Sequence, residues 1–224
     1  MRLFTYLHYF FYIGFNWNFK IALHILMHER RGEKKYGLHT SGIDELNQME
    51  KNGVDIEHAT IYMPASYDLL EELFHFVFKQ PIRHFLDIGC GKGRAVCVAG
   101  HYGAAKSTGI DFSTTLCTAA KENCRQTKDK TPSTAYEIIN NDAFYFEIPE
   151  DVDCLLLFNP FDEVIMSGVV DNIQQSLHRH PRKLFIIYIN PLYSDLFEEI
   201  GCREIYHTKK LRYLEASVYE IEKA

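Results

Sequence analysis

Phe85-Leu86-Asp87-Ile88-Gly89-Cys90-Gly91-Lys92-Gly93-Arg94, followed by Ser107-Thr108-Gly109-Ile110-Asp111, is the stretch that decides the fold. An apolar run ends in a glycine-rich turn, a helical pattern starts at that turn, and a second apolar run carries an acid at its tip. Glycines let backbone approach a ligand closely and take positive φ, and an Asp at the end of the second strand can accept hydrogen bonds from both hydroxyls of a ribose. These are the parts of a nucleotide-type cofactor site. The dinucleotide fingerprint G-x-G-x-x-G would need glycine where Arg94 stands; this chain instead has G-x-G-x-G with an acid two residues before the first glycine.

Outward from this stretch, strands and helices alternate. Strands are expected over His84–Ile88, Ser107–Ile110, Tyr136–Asn140, Asp153–Phe158 and Lys183–Ile189, with covering helices over Arg94–His101, Thr114–Arg125 and Asp162–His178. That alternation indicates α/β architecture, a parallel sheet wound by right-handed crossovers. Arg203–Thr208 and Glu215–Glu222, joined by a short turn around Lys209 and Lys210, read as a closing antiparallel pair. Upstream, Tyr67–Phe78 has helical spacing and leads into the first strand, and Ser41 or Asp44 can cap a short helix through Met49.

The chain has 224 residues, a formal charge of −6 and a pI near 6.0, which suits one domain with a substantial core and argues against a generally basic, nucleic-acid-binding surface. Six cysteines, at 90, 97, 117, 124, 154 and 202, form no C-x-x-C pair and no zinc-type spacing, so no metal is expected and a reduced, cytoplasmic setting is the simplest reading. Between Arg2 and Lys20 no residue is charged and aromatics are dense, but Thr5, His8, Asn16 and Asn18 interrupt a membrane-spanning pattern. Residues 1–28 are therefore expected to form helices packed on the main domain or on a second subunit. An interfacial membrane contact is the alternative, disfavoured because the polar face is short of Lys and Arg. The dense charge from Glu29 to Lys35 looks like a solvated connection, giving an N-terminal aromatic helical extension over 1–35 and a main domain over 36–224.

The D-x-G-x-G-x-G pattern of Asp87, Gly89, Gly91 and Gly93 resembles motif I of the class I S-adenosylmethionine-dependent methyltransferases, and the resemblance extends from about Tyr62 to the C-terminus. It implies a Rossmann-like, seven-stranded sheet ordered 3-2-1-4-5-7-6 with strand 7 antiparallel and helices on both faces. It also implies S-adenosylmethionine as cofactor, at the carboxyl ends of the first three strands, with the acceptor beside strand 4. By this resemblance Asp87 orders the loop and reaches the methionine amino group, Gly89, Cys90, Gly91 and Gly93 line the cofactor, and Asp111 takes the ribose. Asp142 would accept from the adenine amino group, the Ala143 backbone N–H would serve a ring nitrogen, and Phe112 would pack on the adenine face. Tyr62 would close over the methionine end, with Lys92 or Arg94 near its carboxylate. Each of these residues also has a plain structural use: Asn-Asp is a common turn, Tyr62 could be core packing, and Arg94 a solvated first-turn residue.

Asn159-Pro160-Phe161 ends the fourth strand and resembles the [DNS]-P-P-[FY] motif of methyltransferases acting on planar nitrogens, without the second proline. An Asn159 oxygen and a Pro160 or backbone carbonyl can accept from an N–H and so aim its lone pair, while Phe161 can stack on a flat substrate. Asn159, which also borders the cofactor, Pro160 and Phe161 are thus the candidate catalytic residues, with Asp162 an evident helix N-cap. The similar bacterial proteins include a Dot-one-like lysine-methylating group. The expected activity is N-methylation of a protein side chain or another amino or amide nitrogen. A small-molecule O- or C-methyltransferase becomes the better reading if the N-terminal aromatics form a lid over an apolar pocket, and a non-catalytic cofactor-binding subunit is the remaining alternative. Arg94 in place of the fingerprint glycine counts against a nicotinamide oxidoreductase.

Overall fold

A single seven-stranded sheet organises the computed structural model, which describes residues 2–16, 18–41, 64–158, 161–212 and 214–222. Its strands are β1 (His84–Ile88), β2 (Lys106–Asp111), β3 (Ala135–Asn140), β4 (Cys154–Phe158), β5 (Lys183–Ile189), β6 (Arg203–Lys210) and β7 (Leu214–Glu222). Across the sheet they run β3-β2-β1-β4-β5-β7-β6, with β1 to β5 parallel and β7 antiparallel to both its neighbours. The helices are α1 (Arg2–Asn16), α2 (Phe19–Tyr36), α3 (Tyr67–Val77), α4 (Arg94–His101), α5 (Thr114–Lys128), α6 (Glu163–Arg179) and α7 (Ser194–Glu199).

Strands buried on both faces need apolar residues at successive positions, and β4 (Cys-Leu-Leu-Leu-Phe) and β5 (Lys-Leu-Phe-Ile-Ile-Tyr-Ile) supply them. Because side chains alternate along a strand, Phe85, Leu156 and Ile187 enter one core with Leu70, Phe74 and Val98 of α3 and α4. Leu86, Leu157 and Ile186 enter the other, with Met166, Ile173 and Leu177 of α6. The order reverses at β1, between β2 and β4, which opens a crevice beyond their carboxyl ends. This is the Rossmann-like methyltransferase sheet that the motif resemblance implied.

Two expectations are overturned. The charged segment Glu29–Lys35 is not a solvated connection: α2 runs through it to Tyr36 and stops at Gly37, whose φ of 74° and N–H donation to the Glu33 carbonyl form a left-handed cap. The closing turn falls after Lys210, not around it, with Leu211 and Arg212 at φ 50° and 69°. Such angles usually call for Asn or Gly, so neither residue signals the turn. The short α7 was not anticipated, and the helix expected through Met49 lies outside the described residues.

Candidate functional site

The loop after β1 is held from beneath by backbone bonds. Gly89 and Cys90 N–H both donate to the Ile110 carbonyl, at 3.0 and 2.8 Å, and Gly93 N–H donates to the Cys90 carbonyl at 2.8 Å. Gly89, Gly91 and Gly93 take φ of 80°, 53° and 76°, angles that a Cβ would strain, so the path of this loop requires all three glycines. Cys90 is buried and belongs to the core below, which leaves its backbone as the part facing outward.

Two carboxylates flank the loop. Asp111, at the tip of β2, accepts from Gly91 N–H at 2.8 Å through one oxygen and from Ser113 N–H at 2.9 Å through the other. The bond that orders the loop therefore comes from Asp111. Asp87, on the neighbouring strand, is 4% exposed, and no hydrogen bond to its carboxylate occurs among the described residues. Burial, and then the charge of Asp111, push its pKa up to about 8, and burial also raises that of Asp111. No described cation offsets either acid. Two adjacent buried acids without one are costly in the free protein, and a ligand bringing N–H and O–H donors relieves that cost.

Behind the loop the situation is reversed. Arg94, the first residue of α4, is 3% exposed and donates to both oxygens of Glu29 at 2.5 Å, to Thr40 Oγ1 at 2.8 Å and to the Ala65 carbonyl at 2.6 Å. Its guanidinium also lies 4.1 Å from the centre of the Tyr67 ring. It is neither solvated nor turned toward a cofactor. Tyr67 in turn presses on α2 at Gly32, where any Cβ would fall within 2.5 Å of the ring. The remaining charges of α2 complete the seam: Arg31 and Lys35 reach Glu71 at 2.8 and 2.6 Å, and Glu33 accepts from Thr40 N–H at 2.8 Å.

The adenine-side candidates gather at the ends of β2 and β3. Phe112 is half-buried, Ala143 buried, and Asp142 exposed, with one oxygen accepting Phe144 N–H at 2.9 Å. Phe161 is half-buried against the α6 core, and Asp162 caps α6 by accepting Ile165 N–H at 3.0 Å. Tyr62, Asn159 and Pro160 lie outside the described residues. Two supports were missed in the sequence. Asn140 Nδ2 bridges the Asp111 and Phe112 carbonyls at 2.9 and 2.8 Å, and buried Asn123 donates to the Lys92 carbonyl at 2.9 Å. The first had a signal in the Asn140-Asn141-Asp142 run; a helical Asn123 had none.

A second concavity lies beyond β4 and β5. A cavity of about 110 Å³ is walled by Ile13, Ile21 and Ile25 of the α1–α2 hairpin, Leu69, Phe158 and Ile189. Ser66, Asn190 and Glu215 supply its polar lining. Elsewhere His24, His28 and Asp68 bring donor atoms within 4.8 Å of one another, but Lys210 Nζ sits 3.1 Å from Asp68 Oδ2, so the cluster reads as an ion-pair network.

The sheet order is that of the class I methyltransferase fold, with the glycine loop and the paired acids at the carboxyl-end side of β1 and β2. Residues 85–181, under half of the chain, match the family model described as a methyltransferase domain. An uncharacterized protein of Methanocaldococcus jannaschii is 24% identical over 203 residues, covering 81% of this chain and 91% of its own. Among solved structures, a putative O-methyltransferase of Nostoc punctiforme superposes with a TM-score of 0.54 at 19% identity, over 70% of this chain and 56% of that one. The PH0226 protein of Pyrococcus horikoshii gives 0.52 at 18% identity, over 68% and 87%. The magnesium protoporphyrin IX methyltransferase of Synechocystis, solved with bound S-adenosylmethionine, gives 0.51 at 13% identity, over 70% and 79%. These likenesses establish the fold.

Proposed function

We propose that this chain is an S-adenosylmethionine-dependent methyltransferase whose acceptor binds beyond β4. The observation that carries this reading is the pair of buried acids, Asp87 and Asp111, beside a glycine loop and without a protein cation. Such a pair suits a ligand that offers an ammonium to one acid and ribose hydroxyls to the other. When bound, the cofactor supplies an electrophilic methyl on a sulfonium. Asp111 keeps unused acceptor capacity after its two backbone bonds, since a carboxylate has about four lone-pair sites. Asp142 keeps a second oxygen for the adenine amino group, beside the Ala143 N–H. The Synechocystis enzyme, solved on the same fold with S-adenosylmethionine and with S-adenosylhomocysteine, supports the assignment.

Methyl transfer is an in-line displacement, so positioning the nucleophile is the protein's main task at the acceptor. Asn159, Pro160 and Phe161 would orient an amino or amide nitrogen there. A Dot-one-like protein lysine is one such acceptor. The apolar cavity against Phe158 favours a second reading, a small acceptor with an apolar body, because Ile13, Ile21 and Ile25 of the hairpin line it, in place of the aromatics expected there. Neither reading calls for nucleic acid, in keeping with the charge of −6. Six free, buried cysteines support a reducing, cytoplasmic setting.

Calorimetry tests the cofactor assignment. S-adenosylhomocysteine should bind in the micromolar range and NAD should not, and Asp111→Ala should weaken binding about 10- to 100-fold by removing two buried hydrogen bonds. Unchanged affinity in Asp111→Ala would remove it from the site. Tritiated methyl transfer into a fractionated cell extract then separates protein from small-molecule acceptors, and label in RNA or DNA would overturn both.

A further inference from the structure

The α1–α2 hairpin has two apolar faces, and only one is buried. Ile13, Ile21, Ala22 and Ile25 face the domain. On the opposite side Leu7, Phe11, Phe15, Phe19, Leu23 and Met27 form a continuous exposed stripe, with Phe15 at 77% and Met27 at 64% exposure. The stripe crosses the turn without a break, since the Phe15 ring packs on Phe11 at 6.2 Å and on Phe19 at 5.6 Å. An outward face this apolar and this long marks a contact surface.

What it contacts is indicated by charge. At 3.6 residues per turn, Phe19, Leu23, Met27, Arg30 and Lys34 fall within about a quarter of the helix circumference, with Lys20 at its border. Arg30, Lys34 and Lys20 are exposed, and none is drawn into an ion pair among the described residues. No acid precedes Glu29, although the whole chain carries −6. The shortage of Lys and Arg that counted against a membrane contact thus disappears once α2 continues to Tyr36, because the basic residues then share the apolar face. No helix among the described residues is long and apolar enough to cross a membrane, so the hairpin would lie along the surface.

We infer that the outer face of the α1–α2 hairpin docks on an anionic lipid surface, its apolar stripe entering the acyl boundary and Arg30, Lys34 and Lys20 meeting lipid phosphates. Interfacial helices bind by this combination of buried apolar area and basic fringe. The inference does not depend on which acceptor is methylated. It does agree with the cavity behind the hairpin, whose lining suits the apolar end of a molecule taken from such a surface.

Flotation of the full chain with phosphatidylcholine vesicles, with and without phosphatidylglycerol, tests it. The chain should float with the anionic vesicles and be released by salt. Phe15→Glu with Met27→Glu should lower partitioning at least tenfold or so, and Arg30→Glu with Lys34→Glu should do the same only on anionic vesicles. All of these positions are exposed, so the variants should keep the wild-type unfolding midpoint and S-adenosylhomocysteine affinity. A chain that stays in the aqueous fraction, or variants that float as well as wild type, would overturn the inference. So would a concentration-dependent dimer that Phe15→Glu dissociates, which would make the stripe an interface between copies.

Discussion

The two sides of one glycine loop treat buried charge in opposite ways. Behind it, Arg94 and Glu29 are both buried and neutralise each other, with Thr40 and the Ala65 carbonyl taking further donors. In front of it, Asp87 and Asp111 are also buried, but like charge meets like charge and Asp87 is held protonated to about pH 8. The chain that encloses a complete ion pair on one side leaves an incomplete set on the other. On the proposed function, the difference separates a structural charge, whose partner is in the fold, from a binding charge, whose partner would arrive with the ligand.

The comparison is broken most severely at Arg94. Arg94→Met strands the Glu29 carboxylate in a site from which water is excluded, and should destabilise the fold by about 3–5 kcal/mol in urea unfolding. Glu29→Met together with Arg94→Met removes both charges and should recover most of that loss, since an apolar pair of similar volume carries no desolvation penalty. A single Arg94→Met variant as stable as wild type would mean that the seam between α2 and α4 contributes little.

The sequence carries these two sides unequally. Asp87, the glycines and Asp111 are legible because strand, turn and helix signals occur at fixed local spacing, and the sheet follows from apolar runs at successive positions. The Arg94–Glu29 pair is illegible because its members are far apart in the chain, and a run such as Glu-Arg-Arg-Gly-Glu-Lys-Lys reads as solvated when considered alone. Gly32 reinforced that error. It resembles a linker glycine but serves as the gap into which the Tyr67 ring fits. The Leu211-Arg212 turn escaped for a related reason: the pairing of β6 with β7 imposes angles that neither residue favours.

On the ligand side the effect depends on pH and is smaller when taken per pH unit. With its folded pKa near 8 against an ordinary 3.8, Asp87 holds a proton in the native state that the unfolded chain has released. Its contribution to stability is therefore fully present below the ordinary carboxylate range and is lost as pH rises toward 8, by up to about 1.4 kcal/mol per pH unit. Asp87→Asn cannot lose that proton, so its urea midpoints between about pH 5 and pH 8 should vary less than those of the wild type. The same variant should lose affinity for S-adenosylhomocysteine. An unaltered slope would show that another group carries the titration.

The smallest effect is expected where geometry matches the Arg94 pair but burial does not. On α5, Arg125 Nε and Nη2 reach the two oxygens of Glu122 at 2.8 and 2.7 Å, a bidentate pair like that of Arg94 and Glu29. Both residues are exposed, with side chains at 73% and 50%. Removing Arg125 leaves Glu122 in water, where hydration replaces the lost bonds and salt screens the remaining charge. Arg125→Met should therefore unfold at the wild-type urea midpoint, in low salt and high salt alike. A loss approaching that of Arg94→Met would show that bidentate geometry, and not exclusion of water, sets the cost, and the contrast between the two sides of the loop would then need a different explanation.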